Sequence, residues 1–293
     1  MKKRIFLLSV LITLGTAGGA SSLLRTPSRA AKPEIPSPAW ISAESNDSFR
    51  YTFKKEGILL ASSSMIESPS RFWWLSSGGA LILKNGKGMT LHGEQEKNSR
   101  LQKRSALFNS EHSDGGFHPQ NIFRLVTRNA WKNFSQEIYV KIDRINLSDS
   151  LDRDASDGIL LFNRYQDQET LYYAGVRVDG SAVIKKKNQG TYSTLDQRPF
   201  FETNGQIYDR IKNPNFLPTQ RWVGLRSVVQ TLEDGRVRLQ LFMDRSAVGI
   251  WELAAEATDD GSVGGPAIQD AGYAGLRLDY LDATMDNYFI QEK

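Results

Sequence analysis

Short apolar runs that alternate every second residue, separated by turn formers, dominate this chain from Trp40 onward. The clearest is 134–146, FSQEIYVKIDRIN, with Phe134, Ile138, Val140 and Ile142 on one face and Glu137, Tyr139, Lys141 and Asp143 on the other. Successive side chains of a strand point to opposite faces, so this is a strand with one buried face. No window of a dozen residues carries the helical period. About fourteen such runs at short spacing predict an all-β protein, a two-sheet antiparallel sandwich or a barrel. There is no internal repeat, which argues against a propeller or a solenoid.

Two turn signals have a mechanism. Asn85-Gly86 and Asp179-Gly180 tolerate the positive φ that tight hairpins need. The second lies in 157–192, read as three consecutive antiparallel strands. This stretch is dense in groups able to hold a sugar: Asn163, Arg164, Tyr165, Tyr172, Tyr173, Arg177, Lys185, Lys187 and Tyr192. Sugars present apolar C–H faces and polar rims, so aromatic platforms beside hydrogen-bonding side chains suit them. Alternation puts Tyr173, Gly175 and Arg177 on one face and Tyr172, Ala174, Val176 and Val178 on the other. It sets Lys185 and Lys187 opposite Lys186. The predicted ligand-binding set is Asn163, Tyr165, Tyr173, Arg177, Lys185 and Lys187. Most of Trp73, Trp74, Trp222 and Trp251 are expected in the core.

Elsewhere 105–109 and 247–253 read as strands, and 196–218 and 254–270 read as long polar loops.

Lys2, Lys3 and Arg4 precede an apolar run of about ten residues and then small residues, the order of a secretory signal peptide. The run is too short to span a bilayer, which takes about 20 residues. The expected layout is a signal peptide over 1–20, a Pro-rich linker over 21–39 and one domain over 40–293, with a secreted or periplasmic location. Without those three residues, 34 basic side chains face 33 acidic ones, and no basic stripe supports a nucleic-acid role. The absence of cysteine excludes disulfides and thiolate metal sites.

The last third has an ordered set of motifs: WVGLRSVVQ, GRVRLQLFMD, GYAGLRLD and ATMDNYFI. With Trp222, Leu225, Arg226, Asp244, Gly272, Gly275, Leu276, Met285, Asp286 and Asn287, it resembles the closing strands of the concanavalin A-like, laminin-G-like jelly-roll superfamily of lectins and glucanases, in its secreted bacterial form. The resemblance covers about 45–290. It implies a sandwich whose concave sheet binds an extracellular polysaccharide. It also implies a structural calcium ion, with Asp286 as the carboxylate and Asn46 or Asp47 beside it.

Several chemistries stay open as alternatives. Retaining glucanases of the superfamily carry an E-x-D-x-x-E strand, which is missing here. Glu137 and Asp143 share a face but sit about 20 Å apart along a strand, too far for a retaining pair. The lyases carry segments like Y-F-K-x-G-x-Y-x-Q, with a partial counterpart at 172–177, and Q-[IV]-H, where this chain reads Leu160-Leu161-Phe162-Asn163-Arg164. A lyase here would use Tyr173 or Tyr165 as base with Asn163 and Arg177, the phenol lowered by Arg164, Arg177, Lys185 and Lys187. His112 and His118 lack a standard zinc spacing. The expected role is therefore a lectin-like protein that binds polysaccharide. A lyase or hydrolase of acidic polysaccharide, or an adhesion module for a protein partner, are the alternatives.

Overall fold

Alternation in the sequence becomes alternating burial along 134–143 and 237–243 of the computed structural model, which describes residues 48–108 and 112–293. The expected signal peptide, the linker, Asn46 and Asp47 lie outside these residues. In chain order the elements are β1 (Ser48–Tyr51), β2 (Gly57–Leu60), β3 (Trp73–Ser77), β4 (Ala80–Lys84), β5 (Lys87–Met89) and the helix α1 (Arg100–Phe108). Next come β6 (Ile122–Trp131), β7 (Phe134–Ile145), β8 (Gly158–Tyr165), β9 (Leu171–Arg177), β10 (Ser181–Asn188) and β11 (Thr191–Pro199). The chain continues through β12 (Trp222–Thr231), β13 (Val237–Asp244), β14 (Glu252–Asp259), β15 (Gly272–Asp279) and β16 (Leu281–Glu292).

These strands form the expected two-sheet antiparallel sandwich. One sheet has nine strands in the order β14-β13-β12-β7-β16-β5-β4-β2, with β1 pairing β16. The other has seven, in the order β11-β10-β9-β8-β15-β6-β3. Ile138, Val140, Leu225 and Leu239 of the first sheet and Leu161, Ala174, Val176 and Leu276 of the second are buried in the shared core. Both hairpin signals work as read. Asn85 and Gly86 take φ of 52° and 70°, joining β4 to β5, and Gly180 at 86° lets β9 turn into β10.

A buried polar bridge crosses between the sheets. Gln136 of β7 donates to the Phe162 carbonyl and to Asn163 Oδ1. Its own carbonyl accepts from Tyr288 and from the Gly275 amide. Ser227 of β12 also donates to Asn163 Oδ1, at 2.8 Å. Buried polar groups need such partners, and these fix the register of β7, β8, β12 and β15 together.

Three sequence expectations are corrected. Residues 105–109 do not begin a strand; Ser105–Phe108 form the end of α1. Ser99 caps that helix, its hydroxyl accepting from the Gln102 amide at 3.1 Å. The strand read at 247–253 falls later, as β14, pairing Leu239 with Ala257 and Leu241 with Ala255. Asp244 takes the amides of Ser246, Val248 and Gly249 in a turn, leaving Val248 and Ile250 exposed. Of the four tryptophans expected in the core, Trp73 is buried. Trp74, Trp222 and Trp251 are only partly covered; Lys87 lies 4.8 Å from the Trp222 ring centre and Arg226 4.0 Å from that of Trp251. No helix among the described residues is long and apolar enough to cross a membrane.

Candidate functional site

The outer face of the seven-stranded sheet gathers the largest set of sequence-predicted site residues. Alternation along β9 sends Tyr172, Ala174 and Val176 into the sandwich and Tyr173 and Arg177 outward. Antiparallel register then sets Lys185 of β10 opposite Tyr173, and Phe162 of β8 on its other side. Two residues along, Leu160 of β8, Arg277 of β15 and Arg124 of β6 form the next row on this face. Part of this face is a small apolar cluster of its own, with Val126, Phe162, Tyr165, Leu171 and Val183. The polar groups stand beside it.

At the centre are two phenols and a guanidinium. The Tyr173 ring lies 6.0 Å from that of Tyr192, centre to centre, and Tyr192 is about half exposed. Arg277 donates to the Tyr173 hydroxyl at 3.3 Å. Lys185 and Lys187 hold their ammonium groups 4.7 and 4.9 Å from the centre of the Tyr192 ring. The two phenols separate electrostatically. Burial pushes Tyr173 well above the ordinary range, and Arg277 only partly opposes it. Burial acts the same way on Tyr192, but Arg277, Tyr173 and Lys187 outweigh it and pull that phenol down.

The charges do not balance. Lys187 pairs with Glu169 at 3.0 Å, Arg177 with Asp179 at 3.3 Å and Arg277 with Asp279 at 2.7 Å. Among the described residues Arg124 hydrogen-bonds only neutral partners, Ser77 at 3.0 Å and Gln168 at 2.7 Å. Lys185 makes no ion pair among the described residues. Burial, then Arg277, lowers the Arg124 guanidinium from its usual value, and burial, then Arg177, lowers the Lys185 ammonium. Two cations therefore lie next to Arg277 and Tyr192 without a carboxylate of their own. An incoming anion would relieve their mutual repulsion.

Two carboxyls close one end of the face. Burial, then the nearby Asp279, pushes Asp157 up to about 8. Burial also raises Asp279, but its two contacts with Arg277 hold it in the ionised form better than Asp157. Asp157 is thus the member that keeps a proton near neutrality.

Not every predicted residue reaches this face. Asn163 points into the sandwich, bound by Gln136 and Ser227, because it falls on the inward side of β8. Arg164 takes a left-handed φ of 50° and spends its guanidinium on the carbonyls of Lys132 and Ile268, on Asn133 and on Thr231. Tyr172 is in the core, donating to Asp259 at 2.6 Å. Tyr165 is on the outer face but buried, and burial raises it to about 12. Arg177 is tied at the rim to the Ala155 carbonyl, Gln197 and Asp179. The expected lowering of Tyr173 by its cations is reversed by burial; Tyr192 has that property instead. Arg124 and Arg277 did not stand out in the sequence, although Gly275, Arg277 and Asp279 alternate onto one face of GYAGLRLD.

Of the expected calcium ligands only Asp286 lies among the described residues. Asp286 faces Lys87 at 3.5 Å and accepts from the Asn287 amide at 2.7 Å. Among the described residues no group of three or more His, Asp or Glu is arranged to hold an ion, whereas calcium takes six to eight oxygens. The histidines pair with separate carboxylates, His92 with Asp143, His112 with Asp152 and His118 with Asp114.

No family model matches the chain, and no curated protein matches it. Solved structures do. A carbohydrate-binding module, CBM66 from Bacillus subtilis, is 12% identical over 75% of this chain and 95% of its own, with a TM-score of 0.46. The winged bean acidic lectin, in complex with methyl-α-D-galactose, is 10% identical over 83% of this chain and 96% of its own, with a TM-score of 0.44. The β-glucanase of Bacillus licheniformis is 9% identical over 85% of this chain and all of its own, with a TM-score of 0.42. At these identities and scores the likeness assigns neither a ligand nor an activity.

Proposed function

We propose that the protein binds an acidic polysaccharide on the outer face of its seven-stranded sheet, and that it does so outside the cytoplasm after cleavage of the N-terminal signal. The observation that carries this reading is the pair of unbalanced cations, Arg124 and Lys185, flanking Arg277 and the exposed ring of Tyr192. A uronate or sulfated sugar matches both halves of that surface. Its anionic group meets the cations, and its C–H face meets the phenol ring.

A second reading has one specific support. Lyase chemistry on a uronate needs a base near a group that neutralises the carboxylate. Tyr192 is the phenol whose ionisation Arg277 and Lys187 favour, so in that reading it is the base, in place of Tyr173.

Calorimetry of the mature protein with oligogalacturonate, oligoglucuronate and a neutral glucan tests the first reading. Binding of an acidic oligosaccharide, lost about tenfold or more in Lys185→Gln, is expected. Equal binding of the neutral glucan overturns it. Growth of unsaturated-product absorbance in the same mixtures, abolished by Tyr192→Phe, would establish the lyase instead of a pure binder.

A further inference from the structure

Beyond Arg124 the same surface runs into a cleft of about 300 Å³ between α1 and the turn 76–79. Its lining includes Arg104 and Arg124, Ser76, Ser77 and Ser105, and Gln168, and no carboxylate among the described residues. Gly78 and Gly79 shape the turn at φ of 105° and 74°, and a Cβ on either would strike Phe123 or Pro119.

Two features distinguish this cleft from a chance hollow. A surface helix ordinarily turns an apolar stripe inward. The one buried residue of α1 is Ser105, 6% exposed, while Leu107 is 89% exposed and Phe108 is 46% exposed. The helix therefore presents Arg104 and Ser105 to the cleft, with the Phe108 ring 4.9 Å from the Arg104 guanidinium. The Ser105 hydroxyl is also buried without a hydrogen-bond partner among the described residues, and so is that of Ser76. Native interiors rarely leave such groups unsatisfied, and an orphan in a cleft wall points to a ligand.

The two guanidiniums set the ligand's charge. Arg104 gives one bond to the Ala61 carbonyl at 2.8 Å, and Arg124 gives its bonds to Ser77 and Gln168. Neither meets a carboxylate among the described residues, and each retains donors. Arginine forks match carboxylate geometry, and the orphan hydroxyls suit the remaining oxygens of a sugar. The volume is at the low end for small-molecule sites, enough for one sugar unit. Gln168 joins the cleft to the face already described: its side chain bonds Arg124, and its carbonyl accepts from Lys187 at 2.9 Å.

We infer that the cleft between α1 and the 76–79 turn is a subsite for a single acidic sugar at the end of the bound chain, its carboxylate held by Arg104 and Arg124 and its hydroxyls by Ser76 and Ser105. The inference rests on the acidic-polysaccharide reading for its place in a longer ligand, but the cleft can be probed alone. Glucuronate and galacturonate monosaccharides are titrated into the full chain by calorimetry, beside glucose and inorganic sulfate. The uronates should bind at least about tenfold more tightly than glucose. Arg104→Gln should lose about tenfold or more, and Lys84→Gln, on the other sheet, should change nothing. Ser105→Ala should weaken binding about threefold to tenfold while leaving the melting temperature unchanged or higher, since it removes a buried orphan. Equal binding of glucose, sulfate binding as tight as the uronates, or affinity unaltered in both cleft variants overturns the subsite. If acidic oligosaccharides bind with Lys185 dependence but without Arg104 dependence, the sheet-face reading stands and the cleft inference falls. If uronate monosaccharides alone bind, and through Arg104, the reverse holds.

Discussion

Tyr173 and Tyr192, on strands β9 and β11 of one sheet, stand with their ring centres 6.0 Å apart beside Arg277, yet their phenols are driven in opposite directions: burial holds Tyr173 protonated, and Arg277, Tyr173 and Lys187 together favour the Tyr192 phenolate. A tyrosine ordinarily titrates near 10. In a phenolate absorbance titration of the folded protein, the first step should come from Tyr192 and lie below that value. Tyr192→Phe should delete this step and leave the later ones. If the first step persists in the variant, the electrostatic account of the pair is wrong. The phenolate would also cancel a neighbouring cation, so affinity for an acidic oligosaccharide should fall as pH rises through the same step.

Asp157 gives the chain a stability that depends on pH. Its folded pKa of about 8 exceeds its unfolded value of about 3.9. Between those values the folded state holds a proton that the unfolded state has released. The contribution of this carboxyl is intact below about pH 4 and is lost as pH rises through about 8. Asp157→Asn keeps an oxygen that can accept from the Asp154 amide, which the native carboxylate takes at 2.8 Å. Urea midpoints at about pH 5 and pH 8 should therefore diverge: the variant gains on the native protein by on the order of 3–4 kcal/mol between them. A constant gap between the two proteins would show that Asp157 titrates normally.

The fold was legible because its signals are local. Alternation in 134–146 and in 172–178 assigns faces without reference to any other strand, and Asn85-Gly86 and Asp179-Gly180 state their turns outright. The site was legible only in part, because it is a property of register. Tyr173, Lys185 and Lys187 come from one continuous stretch. Arg124 and Arg277 arrive from strands 153 residues apart that pair side by side. Nothing near either arginine in the sequence announces that neighbour. Asn163 was misplaced for a related reason: with Phe162 outward the alternation turns Asn163 inward, and only the partners there, Gln136 and Ser227, show that an amide is wanted in the core.

That placement makes Asn163 a test of structure against function. Asn163→Ala leaves Gln136 and Ser227 short of an acceptor in the core, which should cost about 1–3 kcal/mol in a chemical melt. Affinity for an acidic oligosaccharide, measured on the folded variant, should be unchanged. Lys185→Gln should behave in the opposite way, with the melt unaltered and the affinity reduced. A loss of affinity in Asn163→Ala greater than about threefold, with its melt unchanged, would return Asn163 to the binding face.

Lys186 is the inward-facing member of the three consecutive lysines, and its surroundings make the sharpest stability prediction. Its ammonium is buried against Asp259 at 2.8 and 3.0 Å and against the Gly265 carbonyl at 2.6 Å. Asp259 also accepts from Tyr172 at 2.6 Å, and the Tyr172 oxygen accepts from the Ile268 amide at 2.8 Å. One buried network thus ties β9, β10 and the end of β14 to the segment leading into β15. Removing one charge leaves the other uncompensated in the core, so Lys186→Met should cost about 3–5 kcal/mol. Replacing both, Lys186→Met with Asp259→Leu, removes the stranded charge and should recover much of that loss, although the Tyr172 hydroxyl then needs a new partner. Tyr172→Phe alone should cost about 1–2 kcal/mol. Amide exchange across 260–271 reports the same network locally: it should speed up in Lys186→Met more than in the strands on either side. Equal loss in the single and double variants would mean that the pair does not act as a unit and that packing of the lysine stem, not its charge, holds the loop.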